Sequence, residues 1–435
     1  MKPVFEINSV DLFCGGGGAS TGMDDACEKL GFRRAGIAIN HWKIAVDTMR
    51  YNHPHLNTLD CKIEEAIPAE LVHNKVHLLW ASPSCVHFSR ARGGKPKDNQ
   101  TRSQPEFVLT WLTQCDVDNL IVENVQEFMD WGPLRKKDKM PNKRKKGVYF
   151  KAWVEHIKSL GYNVKYDVLC CADYGDATTR RRFFLIASKR GLPEPQFPTP
   201  TYGNHVEGMH QWRGVRECLD LDDMGKSIFG RKNPLKRNTL ERIAVGMEKF
   251  NGMSFLMDML GAGESHECRL RPLSDPMPTQ HAGGNRFAVV RPFIVTLRNH
   301  QTAFDIDDPL GTVTTTGAHH MVCTPIIIGQ QSCSAARPID APCPTISTGG
   351  AIRLVTPVVV ENEEGCECLP RLDDGRMIDI RIRMLKPSEL AAVHSFPSDY
   401  VMLGNRMEQV KQIGNSVPVR TAEALCESML RKYAA

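Results

Sequence analysis

The chain has 435 residues, 41% of them hydrophobic, which gives room for two domains with real cores. No run of about 18 apolar residues occurs, and the N-terminus lacks a charged-then-apolar signal pattern, so the expectation is a cytoplasmic protein without membrane contact. Its 15 cysteines are odd in number and form no repeated CxxC pair. A disulfide scaffold or zinc site is therefore not expected, and no metal is; most of these thiols read as small buried hydrophobes. A net charge of +5 permits a polyanionic partner without demanding one.

The first 190 residues alternate short apolar runs with amphipathic stretches of helix length, the pattern of a parallel α/β sheet. Strands are predicted at Val4–Phe13, Arg34–Asn40, Val76–Ala81, Asn119–Glu123, Val164–Cys171 and Arg182–Ala187. Helices are predicted at Ser20–Leu30, Lys43–Asn52, Glu106–Gln114 and Tyr149–Leu160, with Gly31 and Gly161 as C-terminal glycines. From about residue 190 proline, glycine, threonine and β-branched residues dominate, and only Lys236–Lys249 reads as helix. Within that stretch a repeat of about 33 residues runs from about 271 to 360. Asp275-Pro276-Met277-Pro278-Thr279 returns as Asp308-Pro309-Leu310-Gly311-Thr312 and again as Ala341-Pro342-Cys343-Pro344-Thr345. Prolines and glycines this dense exclude two helices per unit, so three small β-rich units are expected. The last 55 residues return to helix at Pro387–Ser395, Met407–Ile413 and Thr421–Tyr433. The resulting division is 1–189, 190–380 and 381–435, with the last helix rejoining the first domain.

Chemistry concentrates at the ends of the predicted strands. Phe13-Cys14-Gly15-Gly16-Gly17-Gly18 follows the first strand and opens a helix. Glycines there let the backbone approach a ligand closely, and the helix N-terminus favours a carboxylate or phosphate. No Lys-Ser or Lys-Thr follows, so this is not a Walker loop. Asn40-His41-Trp42 stands where a dinucleotide site wants an acidic residue, yet it can bond a ribose and stack on a base. Cys85 ends an apolar run in a polar turn, and Glu123 ends the next one. A thiolate and a carboxylate at neighbouring strand ends can add to a ring and protonate it together. The segment Arg135–Lys146, RKKDKMPNKRKK, reads either as a solvated loop or as a phosphate-contacting one.

Taken in order, these segments resemble the DNA cytosine-5 methyltransferase family over nearly the whole chain outside 190–380. Asp11–Ser20 looks like the family's adenosylmethionine turn, and Pro83-Ser84-Cys85 its nucleophile segment. Glu123-Asn124-Val125 matches its Glu-Asn-Val, and Arg180-Arg181-Arg182 its arginine pair. Arg383–Tyr400 and Gln412-Ile413-Gly414-Asn415-Ser416-Val417-Pro418 resemble its last two segments. Ser84, Val86, His87, Thr178 and Asn40 depart from the usual residues, and none of these departures removes a group that forms a bond or transfers a proton.

The resemblance implies a Rossmann-like, adenosylmethionine-dependent sheet with an inserted, mostly β target-recognition domain at 190–380. It implies a monomer that methylates C5 of a flipped-out cytosine in double-stranded DNA through a Cys85–C6 adduct. Glu123 acts at N3, and Arg180 and Arg182 hold the base. S-adenosyl-L-methionine contacts fall to Phe13 on the adenine, Gly15, Gly17, Asn40, His41, Asp60, Asn415 and Val417. Ser89, Arg90, Arg92 and Lys95 belong to a loop that closes over DNA. A bacterial or phage modification enzyme fits, with or without a cognate restriction endonuclease. The rivals are the same chemistry on transfer RNA, a catalytically silent DNA-binding relative, and a nicotinamide oxidoreductase.

Overall fold

Apolar runs separated by helices long enough to cross over pair in parallel. The computed structural model describes residues 4–84, 104–135, 142–220, 222–223, 226–228, 231–237, 239–240, 243, 255–258, 270–280, 282, 287–292, 294–296, 303–304, 320–321, 326–329, 337–338, 352–355 and 380–434. In chain order come β1 (Glu6–Leu12), α1 (Gly18–Lys29), β2 (Arg33–Asn40), α2 (Lys43–Asn52), β3 (Asn57–Asp60) and α3 (Pro68–Leu71). They continue with β4 (Leu78–Ala81), α4 (Gln104–Gln114), β5 (Asn119–Asn124), α5 (Val148–Ser159), β6 (Tyr162–Cys170) and β7 (Arg181–Lys189). One seven-stranded sheet results, in the order β3-β2-β1-β4-β5-β7-β6. The order reverses between β1 and β4, and a crevice opens at the C-terminal ends of strands at such a switch.

The sheet is mixed, not wholly parallel. β7 runs antiparallel to both β5 and β6, because Cys171–Arg180 holds only a short 3-10 turn and no crossover helix. β3 lies outside the predicted strands. Its four residues are too few to show alternation.

Every residue of β4 and β5 is buried, so both faces of the sheet are covered. Leu79, Ala81, Leu120 and Val122 pack with Trp111, Phe128, Phe150 and Trp153 on one side. Leu78, Trp80, Ile121 and Phe184 pack on the other with Met23 of α1 and Leu425 and Met429 of the C-terminal helix. That C-terminal part comprises α6 (Pro387–Val393), α7 (Arg406–Asn415) and α8 (Val419–Leu430). Among the described residues no helix is long and apolar enough to cross a membrane.

The chain forms two compact units, the first made of Met1–Cys218, Pro276–Asn285 and Pro387–Ala435, the second of Leu219–Asp275 and Arg286–Lys386. Among the described residues of the second unit one arrangement occurs three times. A strand at Phe255–Asp258, at Ile294–Thr296 and at Ile326–Gly329 each pairs antiparallel with two strands that follow it in sequence. The first followers begin at Leu270, Ala303 and Arg337, and the second at Phe287, His320 and Ile352, in step with the sequence repeat. In the first copy the stretch Pro276–Asn285, after Asp275, belongs to the first unit. There Met277 bridges Thr178, its N–H donating to Ala177 O at 2.8 Å while Thr179 N donates back to Met277 O at 2.8 Å.

Candidate active site

Strand register brings the candidate groups together. Leu12 lies opposite Ala81, and Ala81 opposite Val122, so Ser82-Pro83-Ser84 and Glu123-Asn124 leave the sheet side by side. Asn124 donates from Nδ2 to Pro83 O at 2.9 Å and accepts the Val125 N–H on Oδ1 at 2.9 Å. Ser84 N donates to Gln104 Oε1 at 3.1 Å. These latches fix the backbone up to the residue before Cys85. Cys85 itself lies outside the described residues, as do Ser89, Arg90, Arg92 and Lys95.

Glu123 is buried, with 6% of its surface exposed. Its Oε1 stands 3.3 Å from Arg182 Nε. Burial pushes the Glu123 carboxyl above its ordinary range, against the pull of Arg182, Arg180 and the Ser82 hydroxyl. Trp80 orients that hydroxyl by donating from Nε1 to Ser82 Oγ at 2.9 Å. A carboxyl raised in pKa beside a guanidinium can donate a proton and then hold its charge against the cation.

Arg180 sits differently from Arg182. It is 2% exposed, and its Nη1 donates to Gln280 O and Gly414 O, both at 3.1 Å. Thr178 Oγ1 accepts the Arg180 N–H at 3.2 Å. Arg180 thus ties the start of β7 to the segment at Gln280 and to the end of α7 at Gly414, whereas Arg182 faces Glu123. Arg180→Met is expected to cost about 3 kcal/mol in denaturant unfolding, since it removes two hydrogen bonds made by a buried guanidinium. Arg182→Met is expected to change that midpoint little and to impair turnover.

The crevice on the other side of β1 carries a second set. Phe13, Gly15 and Gly17 all have positive φ, at 63°, 56° and 92°. Only glycine fits at 17, where a Cβ would lie 2.0 Å from Tyr400 Oη. Gly17→Ala is expected to lower both the unfolding midpoint and small-molecule affinity at the turn, by at least about tenfold, read by calorimetry. Asp11 is fully buried, accepts the Ser20 hydroxyl at 2.6 Å, and is pushed by burial to about 6.

Asn40 and Asp60 are register partners at the ends of β2 and β3. Asn40 Oδ1 accepts the Trp42 N–H at 2.9 Å, which leaves its amide as a donor. Lys411 Nζ lies 4.1 Å above the Trp42 ring. His41, Asp60 and Asn415 are exposed, Phe13 and Trp42 half-buried. Val417 is buried, and its carbonyl lies 2.1 Å from where a Gly18 Cβ would stand. Aromatic faces, an amide donor, an exposed carboxylate and a helix N-terminus make a donor set that fits an adenosine bearing an amino acid.

Sequence reasoning missed Ser82, Gln104 and the partners of the glycine turn. Ser82 carried a signal, as the first polar residue after an apolar strand. Gln104 carried none, and Tyr400 stood out only as the end of a family-like segment, because their roles arise from contacts distant in sequence.

The comparisons with known proteins bear on this arrangement. The chain matches the C-5 cytosine-specific DNA methylase family over residues 7–217 and 322–431, and it belongs to that family. It is 26% identical over 215 residues to DNA (cytosine-5)-methyltransferase 1 of Gallus gallus, covering 45% of this chain and 13% of that one. The matched part is thus a small fraction of that relative's length. The type II methyltransferase M1.HphI of Haemophilus parahaemolyticus is 24% identical over 433 residues, covering 98% of this chain and 87% of that one. Among solved structures, a DNMT2 mutant of Spodoptera frugiperda superposes with a TM-score of 0.53 at 13% identity, covering 98% of this chain and 99% of that one. The Entamoeba histolytica methyltransferase EhMeth gives 0.51 at 13% identity, with the same coverage. At these identities the structural likeness establishes the α/β, Rossmann-like fold.

Proposed function

We propose that the chain transfers a methyl group from S-adenosylmethionine to C5 of a cytosine flipped out of double-stranded DNA. The observation that carries this reading is the Glu123–Arg182 pair beside the latched Ser82-Pro83-Ser84 segment. A target C6 is shielded inside a duplex, so the base must leave the stack to reach these groups. The Cys85 thiolate forms a bond to C6 while Glu123 delivers its proton to N3, and the electron pair moves to C5. When bound, S-adenosylmethionine supplies an electrophilic methyl group on a sulfonium. C5 takes that methyl, leaving S-adenosylhomocysteine; the C5 proton then leaves to water, the C6–Sγ bond breaks to free Cys85, and N3 returns its proton to Glu123. Arg182 balances the carboxylate that Glu123 becomes and bonds the base at O2. Arg180 acts through the backbone, holding Arg182's strand in place. Phe13, Gly15, Gly17, Asn40, His41, Asp60, Asn415 and Val417 hold the methyl donor.

The segment 190–380, which holds most of the second unit, is assigned to target reading, and the loop containing Ser89, Arg90, Arg92 and Lys95 to the DNA backbone. The type II relative makes a restriction partner a natural companion. The test is tritium transfer from labelled S-adenosylmethionine to duplex DNA and to transfer RNA in parallel. Label in 5-methylcytosine of the DNA is expected. Label in the RNA alone would replace this reading by its RNA counterpart, and label in neither would leave a silent binder.

A further inference from the structure

Behind the glycine turn runs a chain of polar contacts that the chemistry above does not use. Asp24 receives Arg34 Nη1 at 3.0 Å, His55 Nε2 at 3.1 Å and His53 Nδ1 at 2.7 Å. Burial pushes the Asp24 carboxyl up, but Arg34 and the two histidines outweigh it and hold the group well below the usual carboxylate range. Asp24 is thus a fixed anion that orients the His53 ring. The far nitrogen of that ring, Nε2, lies 3.3 Å from Tyr400 Oη and 3.4 Å from Thr21 Oγ1. Each hydroxyl grips one carbonyl of the turn. Tyr400 donates to Gly16 O at 2.8 Å, and Thr21 donates to Gly17 O at 2.9 Å.

The geometry leaves little slack. His53 is 3% exposed, and a Cβ on Gly17 would fall 3.2 Å from its Nε2 and 2.9 Å from Met49 Sδ. In a trans peptide the carbonyl and the next N–H point in opposite directions. Gripping Gly17 O from behind therefore aims the Gly18 N–H, at the start of α1, away from His53, while the Gly17 N–H closes the turn on Cys14 O at 3.1 Å. That donor and the helix N-terminus are what an amino-acid carboxylate would meet.

We propose that His53 is a positioning residue for methyl transfer, steadying the Thr21 and Tyr400 hydroxyls that set the glycine turn against S-adenosylmethionine. This rests on the reading of that turn as the cofactor site. An asparagine amide nitrogen takes the place of Nδ1 and keeps the Asp24 bond alone, whereas a glutamine amide oxygen reaches the place of Nε2, which accepts from the hydroxyls.

The experiment uses the full chain with Tyr400→Phe, His53→Asn and His53→Gln. It measures calorimetric Kd for S-adenosylmethionine, KM and kcat on duplex DNA, and the thermal midpoint. Tyr400→Phe and His53→Asn are expected to raise Kd and KM about tenfold, the worth of one well-placed hydrogen bond. Their kcat at saturating cofactor is expected to stay within about twofold. His53→Gln is expected to recover most of the affinity. Wild-type affinity in Tyr400→Phe and His53→Asn would overturn the proposal, as would a fall in kcat at unchanged KM. So would a loss in His53→Asn that tracks the thermal midpoint and that His53→Gln does not recover. If the wild-type chain takes up no S-adenosylmethionine, the cofactor reading itself fails and the proposal falls with it.

Discussion

Cys85→Ala is expected to abolish methyl transfer, by on the order of 10⁵-fold or more, because no other group replaces a lost nucleophile. The fold is expected to survive. The chain before Cys85 is held by Asn124 on Pro83 O and by Gln104 on the Ser84 N–H, and neither bond involves the cysteine side chain. Thermal unfolding and tritium transfer on one preparation separate the two effects. An unchanged midpoint with no counts above background is the expected pair.

Glu123→Gln is expected to move activity and stability in opposite directions. Removal of a positioned general acid costs about 10²–10⁴-fold in kcat. The sign for stability follows from burial, which raises the Glu123 pKa in the folded protein despite Arg182 and Arg180. A raised folded pKa means that the native state holds the proton more tightly than the unfolded chain. Relative stability is then greatest at acid pH, and it falls as pH rises past the unfolded value toward and through the folded one. A neutral glutamine escapes that loss. The variant should therefore unfold at a higher temperature than wild type at pH 8, with the difference closing as pH falls below the ordinary carboxylate range. A lower midpoint for Glu123→Gln at pH 8 would mean that the Arg182 pair outweighs the burial of the charge.

Much of the catalytic unit is written locally. The strands at β1, β2, β4 and β5 are legible because each is an apolar run closed by polar or glycine residues, and their crossovers dictate parallel pairing. The same logic mispredicts β7, where the decisive fact is the missing helix between Cys170 and Arg181. β3 escapes because Asn57-Thr58-Leu59-Asp60 is too short for a period, although Asp60 itself stands out. The site divides along the same line. Glu123, Arg182 and the glycines are visible as residue types at strand ends. Which arginine faces the carboxylate is not, because Arg180 and Arg182 differ only in the distant residues they meet, Gln280 and Gly414 for one and Glu123 for the other. The support of the turn by Tyr400 joins residues 384 positions apart, a relation that no local pattern records. The repeat in the second unit shows the reverse case. Its period is plain in sequence, whereas the pairing of strands Phe255–Asp258, Ile294–Thr296 and Ile326–Gly329 is not.

The central claim is a covalent bond between Cys85 and a cytosine of duplex DNA, and a mechanism-based trap tests it most directly. Duplex DNA with 5-fluorocytosine in place of cytosine blocks loss of the C5 substituent and so holds the adduct. Wild-type protein with S-adenosylmethionine is predicted to give a protein–DNA complex that survives denaturing electrophoresis, and Cys85→Ala is predicted to give none. No such complex with the wild-type chain, or an equal one with Cys85→Ala, would contradict the account.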